Sequence, residues 1–124
     1  MINKLAAYGT LRNGKRKTYK VDGFSLVYPG HYSYPAAIIN NNSTGMVVEL
    51  LDVGQEDING YDIYEGVESG LYDRRKITAY DKEKKIEAWM YTAGPLLLQH
   101  KTVFELVPQQ DWLSKKSKKK RIST

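Results

Sequence analysis

The chain contains no cysteine and only two histidines in 124 residues. The missing thiols exclude a disulfide framework, a thiolate nucleophile and any Cys-based zinc or iron–sulfur site. His31 and His100 stand 69 positions apart, and no HExxH-type spacing occurs. No metal site and no cofactor are therefore expected, and both histidines read as surface or loop residues. Long apolar runs are also missing: the longest purely aliphatic stretch is Leu96 to Leu98, against the roughly 20 apolar residues a membrane-spanning helix needs. The segment Met1 to Tyr8 is too short and too polar for a secretory signal. These absences lead to the expectation of a soluble, cytoplasmic protein with no membrane partner. Acid is missing from the last ten residues, Lys115 to Thr124, which hold six basic side chains. Without them the other 114 residues carry 13 basic and 14 acidic groups. The body is thus nearly neutral, and the pI of 9.3 belongs to the tail. A neutral body argues against electrostatic nucleic-acid binding by the domain itself.

What is present fits one compact domain, residues 1–114, followed by a basic tail, residues 115–124, expected to be disordered. The tail reads as a solubilising or weak attachment element, with nonspecific contact to nucleic acid as its other reading. Ten tyrosines and many Val and Ile favour strands. Strands are expected over Ile2–Tyr8, Thr18–Tyr28 with a break at Asp22-Gly23, Ala36–Asn40 and Met46–Leu51. A hairpin is expected from Leu71–Tyr80 and Ile86–Thr92. Leu96–Val107 is ambiguous between helix and strand. One helix is expected, Gln55 to about Glu65, with acids at its start and Gly66 as its stop. On it Ile58, Tyr61 and Glu65 stand at offsets 0, 3 and 7 and share a face. A carboxylate on an apolar face needs a partner or a purpose.

Two segments can carry chemistry. In Tyr8-Gly9-Thr10-Leu11-Arg12 a buried strand ends at a glycine that permits a sharp turn, and successive N–H groups there can form an anion nest. In Tyr64-Glu65-Gly66-Val67-Glu68-Ser69-Gly70-Leu71-Tyr72, burial would raise the pKa of Glu65 and make it a usable acid/base. A local role for Glu65, as a cap or in a salt bridge, for instance with Arg74 or Arg75, is an equal alternative. Glu68 reads as a loop carboxylate. Tyr28, Tyr32 and Tyr34 read as packing aromatics, and Trp112 as an anchor that ends the fold.

Taken together, the segments resemble the γ-glutamylcyclotransferase-like (AIG2-like) family. Tyr8 to Arg12 is similar to its YG[ST]L motif, and Glu65-Gly66 followed by Leu71-Tyr72-Asp73-Arg74 is similar to its glutamate motif. Trp89-Met90-Tyr91 resembles the strand that follows, and Asp111-Trp112-Leu113 a short C-terminal motif. The resemblance spans about residues 2–113, without clearly covering Leu96 to Val107. It implies an α+β fold, a small mixed β-barrel with a few short helices. It also implies an enzyme that releases 5-oxoproline and an amine from a γ-glutamyl compound by intramolecular cyclisation. In that reading Glu65 is the catalytic acid/base, and Tyr8, Gly9, Thr10, Leu11, Tyr72 and Tyr91 bind the small-molecule substrate. The substrate's own amine is the nucleophile, so neither cysteine nor a metal is required. The leaving amine could be an amino acid, the ε-amine of a lysine or a dipeptide. A catalytically silent binder of small molecules or peptides on the same fold is the alternative.

Overall fold

The first strand, β1 (Lys4–Ala7), is buried at three successive positions because both of its faces are covered. Successive strand side chains point to opposite faces. In the computed structural model, which describes residues 2–29, 35–100 and 104–113, Ala6 packs with Val21, Met46, Val48, Ala79, Ala88 and Met90. Leu5 packs instead with Val53, Ile58 and Tyr91. One short strand therefore joins two hydrophobic clusters.

The other elements follow as β2 (Thr18–Val21), β3 (Phe24–Pro29), β4 (Ala36–Ile39), β5 (Met46–Asp52), α1 (Gln55–Tyr64), β6 (Tyr72–Tyr80), β7 (Lys85–Ala93), α2 (Pro95–His100) and β8 (Phe104–Leu106), with a 3-10 turn at Pro108–Gln110. Five strands form a closed mixed barrel in the order β1-β5-β2-β6-β7, and β4-β3-β8 form a separate three-stranded sheet. Every barrel contact is antiparallel except the closing one, where β1 runs parallel to β7 at Leu5 and Trp89. The break at Asp22-Gly23 sends β2 and β3 into different sheets. Leu96–Val107 holds both of its expected alternatives, with α2 ending at His100 and β8 starting at Phe104. Trp112 is buried in the main cluster, as an anchor should be. Tyr28 packs in that cluster too, and burial raises its pKa. His31, Tyr32, Tyr34 and the basic tail lie outside the described residues. Among the described residues no helix is long and apolar enough to cross a membrane.

The helix α1 is mostly polar and buries only Ile58, so hydrogen bonds at its ends position it. Asp57 accepts the Gly54 N–H at 2.8 Å at the start. At the other end, Gly66 N–H donates to Ile63 O at 3.1 Å and Val67 N–H to Asp62 O at 3.0 Å. With Gly66 at φ +66°, these bonds make a Schellman exit, and Glu65 is the C-cap residue.

The loop after α1 is clamped to the β7–α2 junction. Leu71 N–H donates to Gly66 O, Gly94 N–H to Leu71 O and Leu96 N–H to Gly70 O, at 2.9 to 3.0 Å. A Cβ on Gly94 would come within 2.4 Å of Gly70 O, a backbone atom that cannot turn away. Gly94→Ala is therefore expected to lower stability by about 2–4 kcal/mol through strain and backbone displacement, read as a lower midpoint in urea unfolding. An unchanged midpoint would mean that the crossing is loose.

Candidate active site

The loop after β1 is held by a buried carboxylate on the neighbouring strand. Glu49 on β5 is fully buried. Its oxygens accept from Arg12 Nε at 2.9 Å, Asn13 N at 3.1 Å and Gly14 N at 3.0 Å. Arg16 adds a longer contact at 3.3 Å. Arg12 is also buried and reaches Asp111 with Nη1 at 2.8 Å. Burial pushes the Glu49 pKa up, but the Arg12 hydrogen bond, the two N–H donors and the Arg12 charge outweigh it and hold the carboxyl below its ordinary range. Arg12 belongs to the first motif, yet its partner is 37 positions away and had no sequence signal.

Within that loop the reason for glycine differs from the expectation. Gly9 has no left-handed φ; a Cβ there would meet Pro35 Cγ at 3.1 Å. Its role is to let Pro35 approach, not to allow an unusual backbone angle. Gly9 O accepts the Arg12 N–H at 2.9 Å, closing the turn. Among the described residues, no hydrogen bond uses the N–H of Gly9, Thr10 or Leu11 as donor.

The loop borders a cavity of about 1300 Å³. Tyr8 to Leu11 form one side, with Pro35 beside them. The α1 face of Glu56, Asp57, Gly60, Tyr61, Tyr64 and Glu65 forms another. Leu71, Tyr72, Tyr91, Leu96 and Leu97 complete the wall. The structure thus brings all seven sequence-derived site residues to one cavity. Glu68 is exposed in the turn beyond and does not line it.

Glu65 is half-buried, and burial raises its pKa above the ordinary 4.5. The local salt bridge weighed for it does not form. Arg74 pairs with Asp62 at 3.0 Å and stacks over Trp89 at 4.2 Å. Arg75 donates to Thr92 Oγ1 at 3.1 Å and lies 3.7 Å from Asp73. Among the described residues the Glu65 carboxylate has no hydrogen-bond or ion-pair partner.

Two phenols flank this carboxylate. Tyr8 Oη donates to Tyr91 O at 2.7 Å. Burial, then the nearby Tyr72 and Glu65, push the Tyr8 pKa well up. Tyr91 Oη donates to Asp62 Oδ1 at 2.7 Å, and burial followed by Asp62 raises its pKa as well. Both phenols therefore stay protonated at neutral pH. Asp62 and Tyr61 are the residues that motif reading passed over. The helix periodicity already put Tyr61 on the Glu65 face, whereas nothing in the sequence linked Asp62 to Tyr91.

The family model described as "Gamma-glutamyl cyclotransferase, AIG2-like" matches residues 5–114. The chain belongs to that family. Solved structures share the fold. A protein named γ-glutamyl cyclotransferase superposes with a TM-score of 0.59 at 17% identity, covering 84% of this chain and 69% of its own. An AIG2-like protein from Mus musculus gives 0.64 at 17% identity, covering 78% and 82%. An uncharacterized protein from Pyrococcus horikoshii gives 0.69 at 18% identity, covering 96% and 97%. No curated protein matches the sequence. Family membership supports an enzyme of the γ-glutamyl cyclotransferase-like class.

The Glu49 network yields a stability test. Glu49→Gln takes one of two counter-charges from the buried Arg12, leaving Asp111, and is expected to lower stability by about 3 kcal/mol. Arg12→Met in the same chain removes the stranded charge, so the double variant should lose less than the sum of the two single losses. The wild-type contribution is present above the unfolded carboxyl pKa near 4.5 and is lost as pH falls through the lower folded value. Denaturant unfolding across pH 2–7 measures both. Additive losses would show that the two side chains act independently.

Proposed function

We propose that this chain cleaves γ-glutamyl amides by internal cyclisation, with Glu65 as general acid/base. The reading is carried by one observation: a half-buried carboxylate of raised pKa lines the same cavity as a loop whose N–H groups, like that carboxylate, have no partner among the described residues. The substrate's α-amine attacks its own γ-carbonyl. A C–N bond forms to close the five-membered ring of 5-oxoproline, and the amide C–N bond to the leaving amine breaks. Glu65 takes a proton from the α-ammonium and returns one to the departing nitrogen. The loop Tyr8 to Leu11 binds the glutamyl head through its backbone, and those N–H groups suit either the α-carboxylate or the developing oxyanion. Tyr72 and Tyr91 shape the far wall. Because the attack is intramolecular, holding the substrate folded supplies much of the acceleration.

Glu65→Gln keeps the shape and removes the proton transfer, so turnover should fall by about two to four orders of magnitude. Wild-type kcat/KM should decline as pH drops through the raised Glu65 pKa, and the residual activity of the variant should lack that limb. Stability should move the other way. A carboxyl with a raised folded pKa favours the fold most below its unfolded value, and that contribution fades as pH rises through the folded value. The Gln variant should therefore melt at the same temperature or higher at pH 7. Near-normal release of 5-oxoproline would assign the base elsewhere.

The cavity wall also bears on the leaving amine. It carries Glu56, Asp57 and Glu65 and, among the described residues, no Lys, Arg or His. Two unit charges 4 Å apart interact by about 1 kcal/mol even in water. A γ-glutamyl alkylamine without a second carboxylate should react several-fold faster, in kcat/KM at low salt, than a γ-glutamyl amino acid of equal length. The reverse order would show that the wall does not select by charge.

A further inference from the structure

A phenol has one proton to donate. Tyr91 is only 6% exposed and lines the cavity. Its proton is engaged by Asp62 Oδ1 at 2.7 Å, so its oxygen offers only lone pairs to anything in the cavity. Tyr8 likewise directs its proton to Tyr91 O. As they stand, neither phenol can donate to an oxyanion, and the Tyr91 oxygen can accept.

Asp62 also faces a cation, at ion-pair distance but without hydrogen-bond geometry. Arg74 pairs with it at 3.0 Å and is stacked over Trp89. The Asp62 backbone oxygen accepts the Val67 N–H that closes the helix exit, where Glu65 caps α1. One residue thus ties down both a phenol acceptor and the backbone that aims the carboxylate. Glu65 and Tyr91 both line the same cavity, so a small substrate there can reach both side chains.

We propose that Asp62 is a positioning residue: by holding the Tyr91 proton it fixes Tyr91 Oη as an acceptor for the substrate's α-ammonium, so that the amine is held between Tyr91 Oη and the Glu65 carboxylate. The inference rests on the cyclotransferase reading. It adds that the nucleophile is aimed by two acceptors, and that the direction of one hydrogen bond outside the cavity sets this. When Glu65 removes a proton, the nitrogen keeps a hydrogen bond to Tyr91 Oη, which limits how the freed lone pair can turn.

The test is a double-mutant cycle on the full chain, with 5-oxoproline release measured from a γ-glutamyl alkylamine and a γ-glutamyl amino acid. Tyr91→Phe and Asp62→Ala should each lower kcat about tenfold while KM moves less than about threefold. The double variant should be no slower than Tyr91→Phe, since Asp62 acts on the reaction only through that hydroxyl. Asp62→Asn retains an acceptor oxygen and should recover part of the Asp62→Ala loss; it also serves if the Ala variant does not fold. Thermal melting separates the structural role, because Asp62→Ala strands Arg74 and should lower the melting temperature whether residue 91 is Tyr or Phe. Unchanged kcat in Asp62→Ala, or kcat losses that multiply in the double variant, would overturn the inference and leave the cyclotransferase reading standing. A wild-type chain that releases 5-oxoproline from neither substrate would overturn both.

Discussion

A single buried carboxylate, Glu49, holds three parts of the chain together. Sitting on a barrel strand, it receives Arg12 and two backbone N–H groups from the loop after β1, and through Arg12 it is linked to Asp111 near the end of the described chain. A lone ion at such a depth would be strongly unfavourable. Here the lone pairs of the carboxylate are taken up by donors, as a buried ion pair requires. The pair is thus a conditional asset. It fixes the loop only while every donor is present, and it makes the loop's geometry depend on residues 37 and 99 positions further along.

The opposite wall is positioned by other means. The helix α1 has one buried apolar anchor, Ile58, and leaves Ile63 and Tyr64 exposed. What orients Glu65 is its place at the C-cap, set by the Gly66 and Val67 N–H bonds and by the clamp between Gly70 and Gly94. Backbone hydrogen bonds are directional in a way that apolar contacts are not. The carboxylate is consequently placed with little apolar packing of its own, and it stays half-buried without a structural partner among the described residues.

What the sequence disclosed divides along the same line. The shared face of Ile58, Tyr61 and Glu65 was readable because helical periodicity is local. The strands and the hairpin were readable from alternation and turn residues, with ends shifted by one or two positions. The identity of the two motif segments pointed to one site. The reasons behind individual residues were less accessible. Gly9 looked like a turn glycine, and its actual constraint is Pro35, 26 positions away in sequence. Glu49 lay in an ordinary strand pattern with nothing to signal a buried charge. Arg74 was an obvious partner for Glu65 by proximity along the chain, yet Asp62 and Trp89 occupy it. Leu96 to Val107 resisted assignment because it contains a helix and a strand in succession. Each of these depends on what folds back against the residue, which a linear pattern does not record.

The closing seam of the barrel has a consequence for how the protein comes into being. The first strand lies between β5 and β7, so its second neighbour is not made until residue 93 has been added to the chain. The hydrogen bond from Tyr8 to Tyr91 spans 83 positions. Pairing across such separations requires the loop-closure entropy to be overcome before the contact can repay it, which favours slow, late closure. During synthesis β1 can meet β5 early, while its other edge stays open and its apolar residues uncovered. The cavity straddles that seam, with the loop after β1 on one side and Tyr91 on the other. It comes into existence only with closure, so a partly folded chain has no cavity and an unpaired strand edge where the cavity will be.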